Sequence, residues 1–409
     1  MLFRSNTRQR PTLARSRLVL LVLALAVPAS AAAGESSGEG APPPEKEFVP
    51  GELLVKFKSG YDGPGAEAID RIGARVIERL SQIDVSRIEL PGGLSVEDGL
   101  ARLERLPFVE YAEPNLIFRP DWSPDDPDWS RQWGARKIRV PAGWGVETGD
   151  GEVVIAIVDT GVDLDHPDLA RRLVPGYDFV DGDDRPDDVG GHGTHCAGIA
   201  AASANNGRGV AGVCPNCSVM PVRVLGPMGG AASDVAHGIV WAVDHGARVV
   251  SLSLGGAWPS SAQRDALAYA DDRGVLVVAA AGNSSTDAPH YPAHHEISLA
   301  VGATDQGDGR SQFSNYGGWV DVAAPGSFIY STVPDGGYDN KSGTSMAAPF
   351  VAGLAGLLFS RPDATAKSVR RAIEETCVPA GDWVTHGRVD AYAALRALGA
   401  GGGSAGGGG

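Results

Sequence analysis

Three shortages bound what this chain can be. Its 409 residues include only four cysteines, too few to build a disulfide scaffold. Cationic side chains are outnumbered, 35 Lys and Arg against 50 Asp and Glu, for a formal net charge of −15. That deficit argues against a nucleic-acid partner and against electrostatic attachment to anionic membranes. Long apolar runs are also missing. The ten residues Leu18 to Val27 are too few to span a bilayer, and no later stretch is longer and as apolar.

What is present fits an exported globular protein. Hydrophobic residues make up 43% of the chain, enough for a sizeable core, and 56 Gly with 28 Pro indicate many turns. The length exceeds that of one compact domain. Arg4, Arg8, Arg10, Arg15 and Arg17 precede the short apolar run, and Ala-x-Ala cleavage options end at Ala31 or Ala33. Residues 1–33 therefore read as a signal peptide, with an uncleaved anchor as the alternative. Residues 34–47, rich in Gly, Ser, Glu and Pro, read as a linker, and 399–409 as a Gly-rich tail, natural or added. Export permits disulfides. Cys214 and Cys217 could close a small ring, or mark a redox site or half a zinc site; no second Cys pair or spaced His pair follows, which favours the disulfide. Cys196, within a run of small residues, reads as buried, and Cys377 has no assignment.

Two patterns divide the rest. From Phe48 to about Pro120, strand-like and helix-like segments follow in the order β-α-β-β-α-β, with Ser95 to Asp98 as a capping box before Leu100, Leu103 and Leu106. This order predicts a small ferredoxin-like α+β domain. From about residue 121 to 398, buried strands alternate with helices. Strands are expected over 152–158, 218–224, 249–254, 275–280, 297–303 and 320–323. Helices are expected from Ser233 as cap to His245, over 262–272 and over 345–360. The fold class is α/β, a doubly wound, mostly parallel sheet with helices on both faces.

Three segments carry chemistry: Val158-Asp159-Thr160-Gly161, Gly191-His192-Gly193-Thr194-His195, and Ser342-Gly343-Thr344-Ser345-Met346-Ala347-Ala348-Pro349. An acid, a base and a small nucleophile stand in Gly-rich surroundings. Asp159 ends a buried strand, where its carboxylate could fix the tautomer of His192; His192 could take a proton from Ser345 at a helix N-terminus. Taken singly, each residue is more simply a turn, a structural histidine or a helix cap; the combination is what points to acyl transfer.

These blocks resemble D-[ST]-G, H-G-T-H and G-T-S-x-[AS]-x-P of the subtilisin-like serine proteases, in their thermitase-like branch, from about residue 126 to 395. The resemblance implies a secreted serine endopeptidase of broad specificity, acting on proteins and peptides as a monomer. It carries the catalytic roles onto Asp159, His192 and Ser345, and the oxyanion role onto Asn283 in Ala279-Ala280-Ala281-Gly282-Asn283. Substrate backbone would pair with Ser253, Leu254 and Gly255, with Gly282 also at the binding site. His290 falls at the base of the pocket for the residue before the scissile bond, or faces outward. The domain 48–120, ending in Val109-Glu110-Tyr111-Ala112-Glu113-Pro114-Asn115, resembles a propeptide that inhibits until it is cut away between about Leu116 and Asp125. The cofactor implied is structural Ca2+. One site would use Asp126, Asp168 and Asn206 with carbonyls of Ala204, Arg208 and Val210. The other would use Asp178, Asp181, Asp183 and Asp187, which with Asp184 and Asp188 form an acidic loop that composition alone reads as solvated sooner than as a cation site. An acid-active sedolisin, which uses Glu where His192 stands, does not match this chain.

Overall fold

The computed structural model describes residues 48–117 and 123–400. The expected signal peptide, the linker and tail residues 401–409 lie outside the described residues, as do residues 118–122 of the expected maturation segment. The chain divides into two compact units at the 117/118 junction.

The N-terminal unit contains β1 (Phe48–Phe57), α1 (Asp62–Arg71), β2 (Arg75–Leu80), β3 (Val85–Glu89), α2 (Val96–Glu104) and β4 (Val109–Leu116). Its sheet order is β2-β3-β1-β4, antiparallel throughout. This is the split βαβ arrangement that the pattern predicts. Alternating residues Leu53 and Val55 of β1 are fully buried against Ile69, Ile88 and Leu103. Ser95 caps α2, its hydroxyl accepting the Asp98 N–H at 3.1 Å.

The second unit begins with α3 (Trp133–Lys137), α4 (Val140–Trp144), β5 (Val154–Asp159), β6 (Tyr177–Asp178), α5 (His192–Ala201) and β7 (Ser218–Arg223). It continues through α6 (Ala232–Asp244), β8 (Ala247–Leu252), α7 (Ser261–Asp271), β9 (Leu276–Ala280), β10 (Leu299–Thr304), β11 (Val322–Pro325), β12 (Ile329–Val333) and β13 (Gly337–Lys341). The last elements are α8 (Thr344–Phe359), α9 (Ala366–Glu375), β14 (Gly387–Arg388) and α10 (Ala391–Ala400). Eight strands form one sheet in the order β14-β11-β10-β9-β8-β5-β7-β6, every pair parallel. Side chains alternate across it. Ile155 and Ile157 of β5 enter a core with α5 and α8, while Ala156 and Val158 enter a second core with α6 and α7. Both faces are covered, which is why the strands are nearly continuous apolar runs.

Strand order reverses at β5: the chain runs from β5 to β7 on one side and places β8 on the other. A crevice outside the carboxyl ends of strands is expected at such a switch point. Asp159 ends β5 there, Ser253–Gly255 follow β8, and Ala281–Asn283 follow β9.

Some local expectations change. The expected strand 249–254 stops at Leu252, because Ser253 to Gly255 leave the ladder. Ser233 is not the cap of α6. The N-cap is Ala231, with no side-chain cap bond, and the Ser233 hydroxyl turns to Asp234 Oδ1 at 3.1 Å. Gly246 does close α6, with φ +92°. The β12–β13 hairpin, α9 and α10 have no counterpart among the expected elements. Cys214 and Cys217 are disulfide-bonded, and Cys196 is fully buried.

Candidate active site

The site begins with a close approach. A Cβ at Gly193 would lie 2.1 Å from the Gly161 carbonyl oxygen, so only glycine lets the start of α5 rest on the turn after β5. Gly193 N–H donates to Thr160 Oγ1 at 2.9 Å across that contact. His192 Nδ1 thereby comes within 2.7 Å of Asp159 Oδ1, which also accepts the Thr160 N–H at 2.7 Å. Asp159 is 1% exposed and its Oδ2 is buried without a hydrogen-bond partner. An Nδ1–H donating to the carboxylate leaves Nε2 as the basic nitrogen. The Asp159 charge raises the His192 pKa above 6.5, against desolvation and with help from the hydrogen bond.

One carboxylate holds both sides of this pair together. Asp188 Oδ1 accepts Thr160 Oγ1–H and the N–H groups of Gly190 and Gly191, each at 2.8 Å. Its Oδ2 accepts Thr194 N–H at 2.9 Å and Thr194 Oγ1–H at 2.6 Å. Asp188 thus satisfies the first turn of α5 and ties it to the residue after Asp159. Sequence reasoning counted it only as part of an acidic loop; the available signal was an acid four residues ahead of a helix-opening histidine. Asp188→Asn is expected to cost about 2–4 kcal/mol in chemical unfolding, because donors now facing the carboxylate would meet an amide N–H. It should also move the acid limb of kcat/KM to lower pH, since the Asp188 charge adds to the elevation of His192.

Ser345 comes from α8. It is the one residue of that helix that is not buried. Pro349 sits inside the helix and has no N–H, so the Ser345 carbonyl loses its i+4 donor. Ser253 Oγ donates to it instead at 2.8 Å, and Cys196 Sγ at 3.4 Å. In return the Ser345 hydroxyl donates to the Ser253 carbonyl at 3.2 Å. The expected Ser345-to-His192 hydrogen bond is therefore not the one made here; such bonds are often long without substrate and tighten when it binds. Among the described residues no backbone hydrogen bond occupies Leu254 or Gly255, while Gly256 pairs with Tyr291 in both directions at 2.8 Å.

Thr344 orients Asn283. The Thr344 N–H and hydroxyl donate to Asn283 Oδ1 at 2.8 and 3.0 Å, and Gly282 N–H donates to Thr344 Oγ1 at 3.0 Å. These bonds assign Oδ1 inward and leave Nδ2 free to donate. A Cβ at Gly343 would lie 3.4 Å from Asn283 Nδ2 and 3.6 Å from Ser345 N. Glycine keeps open a position flanked by two N–H donors.

His195, one turn along α5, works differently. Its Nε2 donates to the carbonyls of Ile329 and Asp339 at 3.0 and 3.1 Å, bracing both strands of the β12–β13 hairpin that leads to Ser345. Nδ1 is buried without a partner. Burial pushes its pKa down to about 4. An unfolded histidine titrates near 6.5, so below that pH the unfolded chain binds the extra proton first. Stability should fall by about 3 kcal/mol as pH drops from 6.5 to 4 and then level off in this contribution. Urea titrations of an inactive variant would show it, and His195→Gln should flatten this acid-induced loss.

The acidic residues separate into two groups. Asp126 and Asp168 are buried. Asp126 accepts the N–H groups of Asn205 and Asn206, and Asp168 accepts Asn206 Nδ2–H at 2.8 Å and Val210 N–H at 3.0 Å. Desolvation raises the Asp126 pKa despite these bonds, with Asp125 and Asp168 adding repulsion. Among the described residues the carbonyls of Ala204, Arg208 and Val210 accept no hydrogen bond. Asp178 and Asp181, by contrast, are bound by Arg223 Nη1 at 2.5 and 2.6 Å. Asp183 and Asp187 accept N–H groups of Arg185 and Leu164.

Known proteins resemble the chain over this whole arrangement. Residues 150–401 match the subtilase family, and residues 35–115 match the fervidolysin N-terminal prodomain. Thermitase of Thermoactinomyces vulgaris is 51% identical over 280 residues, covering 67% of this chain and all of that protein. A thermophilic serine proteinase of Bacillus sp. strain AK1 is 42% identical over 354 residues, 85% of this chain and 88% of its own. A solved protease structure from Pseudoalteromonas arctica PAMC 21717 superposes with a TM-score of 0.64 at 35% identity, covering 68% of this chain and all of that one. The chain belongs to the subtilase family and is a subtilisin-like serine endopeptidase with an N-terminal prodomain.

Proposed function

We propose that Ser345 Oγ attacks the carbonyl carbon of a bound peptide while His192 Nε2 takes its proton. The observation that carries this reading is the 2.7 Å bond from His192 to buried Asp159 at the strand switch point, together with Ser345 as the one residue of α8 that is not buried. Asp159 holds the imidazole in its reactive tautomer and stabilises the imidazolium. The carbonyl oxygen, as it becomes an oxyanion, enters the position beside Gly343 and receives Asn283 Nδ2–H and Ser345 N–H. His192 then protonates the leaving amine, the C–N bond breaks, and an acyl-Ser345 ester remains. Water, deprotonated by His192, hydrolyses that ester and restores Ser345. The unpaired backbone at Leu254 and Gly255, with Ser253, binds substrate as an added strand; this reads backbone ahead of side chain and gives broad specificity.

The enzyme is made for export behind residues 1–33, and the domain 48–120 inhibits it until removal. The resident ion is calcium at Asp126, Asp168, Asn206 and the carbonyls of Ala204, Arg208 and Val210, where among the described residues the buried carboxylates make no ion pair and the carbonyls accept no hydrogen bond. The ion would brace the loop without joining the reaction. The second set fits a cation less well, because Arg223 already neutralises Asp178 and Asp181. Chelation should lower stability by about 3 kcal/mol relative to calcium at roughly a hundred times its Kd. The initial rate measured at once after mixing should be unchanged. A thermal midpoint insensitive to chelator would remove the calcium assignment.

The mechanism is tested by covalent labelling. An aryl sulfonyl fluoride should modify Ser345, found by peptide mass spectrometry, with a rate that rises with pH as His192 loses its proton. Inactivation with the label on another residue would overturn it.

A further inference from the structure

The β12–β13 hairpin connects the active site with the loops around Asp168. At one end His195 of α5 holds both of its strands, and β13 runs on to Ser345 within four residues. At the other end Tyr338 lies directly on Gly209. A Cβ on that glycine would be 2.0 Å from Tyr338 Cζ and 2.2 Å from the hydroxyl oxygen. The residues on either side of Gly209 are Arg208 and Val210, whose carbonyls accept no hydrogen bond among the described residues. Burial raises the Tyr338 pKa above 10, and the Asp168 charge and a hydrogen bond to that carboxylate add to the rise. His166 makes a second tie. It is fully buried, its Nδ1 accepts the Asp168 N–H at 3.2 Å, and its Nε2 donates to the Gly337 carbonyl at 3.0 Å. Its ring stands edge-on to Tyr338, with centroids 5.3 Å apart.

We propose that Tyr338 sets the calcium affinity of the site built on Asp126 and Asp168, and that the bound ion in turn secures the hairpin that leads to Ser345. This rests on the calcium reading given above. The Tyr338 hydroxyl donates to a carboxylate that would hold the ion, and so fixes its orientation before the ion arrives. A ligand already in place costs less to order on binding. The same contact must act in both directions. Whatever factor Tyr338 adds to the affinity, the ion adds to the stability of the closed hairpin. Without the ion the open hairpin is still a minor state, which agrees with an initial rate that chelation leaves unchanged.

The test uses the full chain carrying Ser345→Ala, which keeps proteolysis out of the measurement. Calcium Kd is obtained by competition with a fluorescent chelator, and the binding removed by Asp168→Asn or by Asp126→Asn identifies the site. At that site Tyr338→Phe, which keeps the ring and loses only the hydroxyl, should weaken calcium by about 10–100-fold. Amide exchange over residues 329–341, followed by mass spectrometry, should slow by a similar factor when calcium is added to the parent chain, and by much less in Tyr338→Phe. An unchanged Kd in Tyr338→Phe, or hairpin exchange that ignores calcium in the parent chain, would overturn the proposal and leave the calcium assignment standing. If the parent chain binds no calcium, or if neither Asn variant removes any, the assignment itself falls and the proposal with it.

Discussion

Ser345→Ala should lower kcat toward a peptide by about 10⁶-fold, a magnitude taken from subtilisin itself. Among the described residues the hydroxyl makes one hydrogen bond, to the Ser253 carbonyl at 3.2 Å. Its loss should therefore leave unfolding nearly unchanged, while KM moves little because the substrate strand and the oxyanion donors remain. A residual rate of about 10³–10⁴ over water is expected from those donors and from binding. Because the proposed reading makes the N-terminal domain an inhibitor, the rate is to be read after that domain has been removed by added active enzyme, followed by separation of that enzyme.

Asn283→Ala should cost about 10²–10³ in kcat with KM nearly unchanged, again a subtilisin magnitude. The charge it serves exists only in the transition state, so ground-state binding does not depend on it. Asn283 also accepts two bonds from Thr344, and truncation would free those donors. Asn283→Asp separates the roles. It keeps the acceptor for Thr344 and replaces the amide donor with an anion. If orientation of Thr344 were the cause, the Asp variant would retain activity; the account requires it to lose at least as much as the Ala variant.

Much of this was legible in the sequence because the chemistry imposes spacing and glycine. Gly193 marks His192 by steric necessity, Gly343 keeps clear the space beside Asn283 and the Ser345 N–H, and the apolar run before Asp159 marks a strand buried on both faces. The residues that hold these groups were harder to see. Asp188 acts through contacts with Thr160 and Thr194, distant in sequence from one another, and sits among other Asp residues that obscure it. Pro349 reads as a flaw in a helix until its missing N–H is matched with the Ser345 carbonyl and the Ser253 hydroxyl. Arg223, an unremarked end of β7, turns out to neutralise two of the expected calcium ligands. Ser233 misled because cap residues are recognised by type, whereas the start of α6 is set by packing. Short elements such as the β12–β13 hairpin carry too little periodicity to stand out, although His195 depends on both of its strands.

The central claim is that Ser345 and His192 act as one unit. The most direct measurement is kcat for Ser345→Ala, His192→Ala and the double variant on one peptide. The account predicts that the double variant is no slower than either single one, within about a factor of ten, since each substitution alone already disables the unit. Losses that multiply, with the double variant slower than each single one by the full effect of the other, would contradict it.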